Sequence, residues 1–327
     1  MIISRAPLRI SFFGGGTDFP EYFREHGGAV LATAVDKFSY VTASAFQSPL
    51  FDYAVRVSYS KGELVKNIAD IEHPVFRACL QYCGIEKDIE LHTVADLPAF
   101  TGLGSSSSFT VSMLQALHAY KGEFVRPLEL AYEAIHIERQ LLNECVGVQD
   151  QATAACGGFN VLEFYAEDDI RVHPLTLSPQ RIEEIEAHLF LIFTGIKRRA
   201  HDLEAKKIQS LGANGEHLRQ MRLMVDDGHS LLVSGEPLSE FGFLLHKAWL
   251  AKRQLDRLVS TPEIDAIYES GIAAGAWGGK LLGAGGGGFM LFVAPPECHK
   301  RLEDTFSEKH TLAIRINALG SQVVFAS

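Results

Sequence analysis

Residues 102–120 read GLGSSSSFTVSMLQALHAY, a stretch in which a glycine and serine loop runs directly into a helical pattern. The apolar residues after the loop recur at the spacing of one helical face: Phe109, Met113, Ala116, Leu117 and Tyr120. Glycine lets backbone N–H groups converge on an anion, and a helix N-terminus adds unpaired N–H groups and a positive dipole end. The stretch therefore predicts a phosphate-binding loop that opens a helix, with a polar loop of serine N-caps as the alternative.

Strands and helices are both predicted around this loop. Residues 2–13 alternate as a strand that ends at a run of three glycines, and residues 28–60 are rich in the Val, Thr, Tyr and Phe typical of further strands. Helical periodicity marks three further segments, 74–84, 127–143 and most of 201–258. A buried strand follows at 187–195, and the length of 327 residues fits two domains. We therefore predict domains at 1–184 and 185–327.

The overall charge limits what the protein binds. The chain has 30 Lys and Arg against 40 Asp and Glu, a net charge of −10, which argues against binding nucleic acid or an anionic membrane through bulk charge. It shows no signal peptide and no apolar run of the ~18 residues that a membrane span needs. Its five scattered cysteines are typical of buried thiols in a reducing compartment. We expect a cytoplasmic protein with no nucleic acid or membrane partner, and the sequence permits a homodimer without selecting one.

A second glycine cluster, Gly283 to Gly288, precedes an apolar strand rather than a helix. Its apolar flanks disfavour a flexible surface turn, so we expect this loop to lie beside a ligand. Neither cluster is a Walker A loop, because the pattern Gly-x-x-x-x-Gly-Lys-Ser/Thr occurs nowhere in the chain. A dinucleotide site is not indicated either, since no strand–GxGxxG–helix unit with an acidic partner is present.

Glu138 is a carboxylate on the apolar side of a predicted helix. On a helical wheel of residues 128–142 the apolar side chains fill one half, and Glu138 falls near the middle of that half. An ionised carboxylate does not stay buried without a partner, so Glu138 should have a cation, a metal or a raised pKa. An internal salt bridge is the structural alternative.

Asp150 is a second carboxylate, and it lies within Gly147-Val148-Gln149-Asp150-Gln151. We place it near the same spot as Glu138, where a general base could act. An ordinary helix-capping aspartate is the alternative.

With these residues assembled, the sequence resembles the GHMP kinases, a family that includes galactokinase, homoserine kinase, mevalonate kinase and phosphomevalonate kinase. Three motifs carry the resemblance in order, and it covers essentially the whole chain. The first is Ala6-Pro7-Leu8-Arg9 with Gly14-Gly15-Gly16-Thr17-Asp18, the second runs from Pro98 to Ser108, and the third runs from Lys280 to Gly288.

The resemblance implies an α+β fold of two domains, in which the N-terminal domain contains a left-handed βαβ unit and ATP and sugar meet in the cleft between the domains. It implies ATP and Mg²⁺ as cofactors. The residues expected to hold the triphosphate are Gly102, Leu103, Gly104, Ser105, Ser106 and Ser107. The family's Mg²⁺ ligands fall on Ser106 and Glu138, and its catalytic aspartate falls on Asp150. Arg9 matches a basic residue beside the transferred phosphoryl group.

The form of the first two motifs, RAPLRISFFGGGTDFPEYF and TGLGSSSSF, looks most like the subgroup that phosphorylates D-glycero-D-manno-heptose 7-phosphate at its anomeric hydroxyl, for nucleotide-activated heptose synthesis. At Gly15-Gly16 the chain departs from galactokinase, which has Glu-His before Thr-Asp, and this weakens a galactose assignment. The residues expected to bind the sugar phosphate are Gly15, Gly16, Thr17, Asp18, Arg198, Lys252, Gly285 and Gly286. Arg198 lies in the densest basic cluster of the chain, and solvated strand-end charges are the alternative there.

Three other functions fit parts of the pattern. A kinase for a neutral sugar such as galactose, fucose or an N-acetylhexosamine would not need a phosphate-binding arginine. A sugar sensor of the same fold would hold ATP and sugar without turnover, but Asp150, Arg9, Ser106 and Glu138 together favour an active kinase. An RNA-binding role is suggested only by the shared domain fold, and the net charge of −10 disfavours it.

Overall fold

The computed structural model describes residues 1–196 and 215–327, which form two sheets with helices on their faces. The strands are β1 (Ile2–Phe13), β2 (Gly28–Ala45), β3 (Val55–Ser58), β4 (Gly62–Val65), β5 (Ile89–Ala95), β6 (Phe159–Ala166), β7 (Asp169–Pro174), β8 (Leu189–Phe193), β9 (Gly278–Leu281), β10 (Phe289–Val293), β11 (Thr311–Leu312) and β12 (Gln322–Ala326). The helices are α1 (Pro20–His26), α2 (Pro74–Tyr82), α3 (Ser105–Lys121), α4 (Pro127–His136), α5 (Gln149–Cys156), α6 (Pro179–His188), α7 (Gly215–Val233), α8 (Leu238–Arg253), α9 (Pro262–Ala273) and α10 (Pro296–Thr305). Within these two ranges no helix is long and apolar enough to cross a membrane.

The first sheet has eight strands, with β12-β1-β2-β5-β3-β4 as its main order. The 18-residue β2 pairs with β1 along most of its length, and it has two further partners, β6 for its first half and β5 for its second half. β3 and β5 run parallel with α2 between them in the chain, so this part of the sheet contains a strand–helix–strand unit. The predicted α+β class is confirmed, and the left-handed sense of that unit stays a prediction.

The second sheet has four strands in the order β11-β8-β10-β9, and all its pairs are antiparallel. β9 and β10 are buried along their whole lengths, since apolar side chains and helices cover both faces of the sheet. The strand predicted at 187–195 is β8, at 189–193. The predicted boundary between residues 184 and 185 stays a prediction, and β12 from the far end of the chain pairs with β1 of the first sheet.

A hydrophobic core lies between the two sheets and draws on both halves of the chain. It includes Leu8, Ile10, Phe12 and Phe13 of β1 together with Leu191, Phe241, Leu245 and Leu291. The Phe241 ring of α8 lies edge-on against Phe12 and Phe13, with centroid distances of 5.3 and 5.2 Å. Burial of this much apolar surface fixes the two halves against each other.

A bulge in β1 explains why two successive phenylalanines enter this core. The pairing of β1 with β2 shifts between Ser11 and Phe13, so that Phe12 has no opposite residue. Lys280 of β9 donates from Nζ to the carbonyl oxygens of Ser11 at 2.6 Å and Phe12 at 2.9 Å. Because buried carbonyl groups need a donor, this lysine fastens the second sheet to the bulge.

We expect Lys280→Met to lower the free energy of unfolding by about 2 kcal/mol, because two buried carbonyl groups would lose a donor. Urea unfolding followed by circular dichroism measures the change. Lys300→Met is the matched control, since the Lys300 side chain is 77% exposed and its surface ion pairs should contribute little. A Lys280→Met protein that unfolds at the same urea concentration as the control would contradict this role.

Candidate active site

The site is built around Arg9, which is only 5% exposed in β1. Its Nε and Nη2 atoms donate to Oδ1 and Oδ2 of Asp150, each at 2.7 Å, which makes a bidentate ion pair. Its Nη1 atom donates to the carbonyl oxygen of Gly102 at 2.7 Å. A guanidinium carries five N–H donors, so two remain that make no bond to the described residues and can meet a ligand.

Asp150 lies in the first turn of α5, where the positive end of the helix dipole favours a carboxylate. Val148 holds the cap position, so the capping alternative does not describe Asp150. The Asp150 side chain is 23% exposed, and its Oδ2 would lie 3.1 Å from a Cβ placed on Gly104. The carboxylate that Arg9 orients is therefore accessible and lies beside the glycine loop.

The glycine loop enters α3 through two residues of left-handed conformation. Gly102 and Gly104 have φ angles of 81° and 74°, and Gly104 holds the cap position of α3. A glycine cap leaves the first N–H groups of the helix available, as an anion requires, and the serine-cap alternative does not describe this loop. Ser108 ties the start of the helix to β1, because its hydroxyl donates to the carbonyl of Ala6 at 2.7 Å. We call residues 102–107 the phosphate loop, after the ligand that the sequence predicts for them.

The second glycine loop, residues 283–288, lies directly against the phosphate loop. A Cβ on Gly102 would lie 2.5 Å from the carbonyl oxygen of Leu282, and a Cβ on Gly283 would lie 2.6 Å from the Cα of Gly102. The Phe289 N–H also donates to the carbonyl of Thr101 at 3.0 Å. Only glycine permits such close approach of two backbones, so the two clusters form one structure.

Three residues predicted to bind substrate lie in or beside the second glycine loop: Lys252, Gly285 and Gly286. Lys252 is 5% exposed, and its Nζ donates to two carbonyl oxygens at the start of this loop. A Cβ on Gly285 would lie 2.8 Å from the Cα of Val259, and the Gly286 N–H donates to the Val259 carbonyl at 3.0 Å. Any contact of these three residues with substrate stays a prediction.

Asp18 is a buried carboxylate near Asp150. It is 2% exposed, and its Oδ1 accepts a hydrogen bond from the Gly16 N–H at 2.9 Å. Burial raises the pKa of Asp18 above its ordinary value, the Gly16 hydrogen bond opposes the rise, and the negative charge of Asp150 adds to it. A Cβ on Gly147 would lie 1.9 Å from Oδ2 of Asp18, so glycine is required there. The hydroxyl of Thr17 is bonded to backbone groups and holds the turn.

Glu138 is buried as the wheel predicted, but within one π-helical turn, Ile137–Leu141, rather than in an α-helix that reaches 143. The α-helical hydrogen bonding of α4 ends at His136, and the π-helical turn follows directly. Such turns are common at functional sites. The Glu138 Oε2 atom accepts hydrogen bonds from the Ser107 hydroxyl at 2.9 Å and from the Gln151 side-chain amide. Burial raises the pKa of the Glu138 carboxyl to about 7 despite these hydrogen bonds.

The other oxygen of Glu138 makes no hydrogen bond of ordinary geometry. Oε1 is buried, and the nearby Thr110 hydroxyl only opposes the rise that burial causes in the Glu138 pKa. Within the described part of the chain Glu138 forms no ion pair with a lysine or arginine. The salt-bridge alternative is therefore not what these residues form. A buried carboxylate with a raised pKa and an oxygen that lacks an ordinary hydrogen bond is suited to meeting a cation.

The structure brings most of the predicted residues together. Arg9 is in direct contact with Asp150 and with the phosphate loop. Asp18 is close enough to Asp150 that the negative charge of Asp150 raises the pKa of Asp18. Ser106, predicted to share a metal with Glu138, is exposed, whereas Ser107 bonds to that carboxylate. Arg198 lies outside the described residues.

Sequence reasoning missed the roles of two glutamines. Gln151 donates to Glu138, and Gln149 lies beside Gly15. Their position directly before and after Asp150 in the sequence was the available signal.

The arrangement is suited to phosphoryl transfer. It combines a helix N-terminus that can hold phosphates, an accessible carboxylate beside it, a guanidinium with free donors and a second carboxylate that can accept a cation. Such groups can position a hydroxyl nucleophile and stabilise the charge of a phosphoryl group, which are the main contributions a protein makes to that reaction.

Comparison with known proteins points the same way. The family described as GHMP kinases N terminal domain matches residues 63–158, and the family described as GHMP kinases C terminal matches residues 232–309. A D-glycero-alpha-D-manno-heptose 7-phosphate kinase from Campylobacter jejuni is 33% identical over 314 residues, which cover 90% of this chain and 90% of that protein.

Two more distant similarities extend the comparison. An L-fucokinase/L-fucose-1-P guanylyltransferase from Bacteroides fragilis is 26% identical over 94% of this chain, which spans 36% of that protein. A solved structure of a D-glycero-D-manno-heptose 1-phosphate kinase from Bacteroides thetaiotaomicron has a TM-score of 0.81, with 24% identity and full coverage of both chains. That structure shares the fold described above.

The raised pKa of Glu138 predicts how stability depends on pH without divalent cations. Since the folded-state pKa of about 7 lies above the ordinary value of 4.5, the protonated carboxyl stabilises the fold, and this stability is lost as the pH rises from about 4.5 to about 7. We expect Glu138→Gln to be more stable than the wild type at pH 8 by on the order of 3 kcal/mol, and the difference to vanish near pH 4.5. Thermal unfolding in EDTA at a series of pH values measures it. A pH-independent difference would contradict the raised pKa.

Proposed function

Because the chain belongs to the GHMP kinase family and is a sugar kinase, we propose that it transfers the γ-phosphoryl group of ATP to the anomeric C1 hydroxyl of D-glycero-D-manno-heptose 7-phosphate. The product is the 1,7-bisphosphate. The single observation that carries the proposal is the Arg9 side chain, which binds Asp150 and the phosphate loop at once. This arrangement sets the carboxylate that would receive a hydroxyl next to the loop that would hold ATP.

Each residue of the site has a part in the proposed reaction. The N-terminus of α3 and its serine hydroxyls bind the phosphates of ATP. Asp150 accepts the hydrogen of the sugar C1 hydroxyl and orients its oxygen for attack, since both of its carboxylate oxygens keep lone pairs beyond those that Arg9 uses. The two remaining N–H donors of Arg9 stabilise the negative charge of the phosphoryl group in transit.

A Mg²⁺ ion fits the donors of the site. Glu138 has a buried oxygen without an ordinary hydrogen bond and a carboxyl whose pKa burial raises, and a nearby divalent cation would restore its charge. We propose that Glu138 and a serine of the phosphate loop, Ser106 or Ser107, hold the ion. Mg²⁺ supplies charge neutralisation for the phosphate oxygens of ATP when it is bound.

The sugar phosphate is proposed to bind between the glycine turn of the first motif, residues 14–18, and the second half of the chain. Asp18 would accept a sugar hydroxyl, and Gly15 and Gly16 would leave room for the ring. We keep Arg198 as the proposed holder of the 7-phosphate, with Lys252 acting through the loop that it supports. The name of the Campylobacter jejuni relative, which shares 33% identity with the chain, supports a heptose 7-phosphate substrate.

Five free cysteines fit the proposed reducing, cytoplasmic setting.

A panel of acceptors with ATP and Mg²⁺ tests the substrate. We expect mass spectrometry to detect one added phosphate on D-glycero-D-manno-heptose 7-phosphate and far less on free galactose, fucose or N-acetylhexosamines. Arg198→Ala should raise KM for the phosphorylated heptose, because a phosphate contact is lost. Preference for a neutral sugar, with no effect of Arg198→Ala, would support the alternative that the similarity to the fucokinase suggests. No ATP consumption with any acceptor would support a sensor.

The assignment of Asp150 is tested by Asp150→Asn. The amide keeps the shape of the side chain but is a poor proton acceptor, so kcat should fall by about 10²- to 10⁴-fold while the circular dichroism spectrum is unchanged. Asp169→Asn is the matched control, because Asp169 is paired with Arg171 at the surface. An Asp150→Asn enzyme that retained the rate of the control would remove Asp150 from the role of base.

A further inference from the structure

The fold requires glycine at positions 14 and 16 but not at position 15. Gly14 and Gly16 have φ angles of 82° and 103°, and a Cβ on Gly14 would lie 1.9 Å from the carbonyl oxygen of Ala29. Gly15 has no left-handed φ, and a Cβ there would meet only Ser11 Oγ at 3.8 Å and Gln149 Nε2 at 3.9 Å. These are ordinary contact distances, so the folded chain itself has room for a side chain at this position.

The two side chains that face this room each have an unsatisfied polar atom. Ser11 is 6% exposed and Gln149 is 9% exposed, and both Ser11 Oγ and Gln149 Oε1 are buried without a hydrogen-bond partner. Polar atoms left in this state are unfavourable unless something bonds to them. The Ser11 hydroxyl and the Gln149 amide both lie beside Gly15, so a group held above Gly15 would be next to both side chains.

The position of this pair relative to the reacting groups is set by secondary structure. Ser11 follows Arg9 by two residues on β1, so both side chains lie on the same face of the strand. Gln149 directly precedes Asp150 at the start of α5. The Ser11 and Gln149 pair is therefore a neighbour of the Arg9 and Asp150 pair, two residues later on β1 and one residue earlier on α5.

We propose that Ser11 and Gln149 together bind one hydroxyl group of the sugar above Gly15, and that this contact helps to determine which sugars are accepted. The proposal rests on the proposed kinase function. A hydroxyl group both donates and accepts, so it can satisfy a serine hydroxyl and an amide at the same time. Both side chains are neutral, which favours a sugar hydroxyl here over the phosphate end of the substrate.

Two substitutions test the contact with D-glycero-D-manno-heptose 7-phosphate as the acceptor. Ser11→Ala should raise KM for the sugar about fivefold with little change in kcat or in KM for ATP, because one neutral hydrogen bond is lost. Gly15→Ala should raise that KM about tenfold or more, because its methyl group takes the place of the hydroxyl. Neither should lower the melting temperature, since Ser11→Ala removes an unsatisfied buried hydroxyl and Gly15→Ala fits the available space.

The matched control is Ser112→Ala. Ser112 is also fully buried with an unpartnered hydroxyl, but it lies in the middle of α3 and outside the proposed contact. We expect its melting temperature to respond as that of Ser11→Ala does, while KM for the sugar stays at the wild-type value.

The outcomes separate this inference from the proposed function. If the wild type phosphorylates the heptose but KM is unchanged in Ser11→Ala and Gly15→Ala, the contact does not exist and the kinase function stands. If KM rises equally in Ser112→Ala, the effect is one of packing, and the inference is also overturned. If the wild type transfers no phosphate to any acceptor, the proposed function fails and this contact fails with it.

Discussion

The Arg9 guanidinium is the interaction on which the site depends, because it joins three segments that are far apart in the sequence. It lies on β1, it holds both oxygens of Asp150 at the start of α5, and it binds the carbonyl of Gly102 in the phosphate loop. A bidentate guanidinium fixes direction as well as distance. The angle between the Asp150 carboxylate and the phosphate loop is therefore set by one side chain, which is itself buried.

An acidic protein with the proposed substrates, ATP and a sugar phosphate, needs a local source of positive potential, and here the backbone can supply much of it. The glycine cap of α3 leaves N–H groups available, and the second glycine loop packs so closely that Gly102 and Gly283 nearly touch. Lys252 and Lys280, which bring positive charge into the buried interior, donate to backbone carbonyls that shape the loop and the β1 bulge. Their charge thus orders the site as well as contributing to its potential.

The parts that could be predicted from sequence are those that depend on periodicity within one segment. The loop that opens α3 and the burial of Glu138 are of this kind. The bond between Ser107 and Glu138 could not be predicted, because it depends on how α3 is rotated against a π-helical turn that an ideal helical wheel does not contain. The Lys280 contact was equally hidden, since it requires knowing that β1 bulges at Phe12, almost 270 residues away.

Alternate side chains of β1 face the hydrophobic core and the candidate site. Leu8, Ile10 and Phe12 enter the core between the sheets, while Arg9 and Ser11 face the site. Because successive residues of a strand point to opposite sides, a shift of one residue would exchange the two sets. A single-codon insertion or deletion ahead of Leu8 would therefore turn the Arg9 guanidinium towards the apolar core and turn Leu8 and Ile10 towards the site, so the length of β1 is as tightly constrained as its composition.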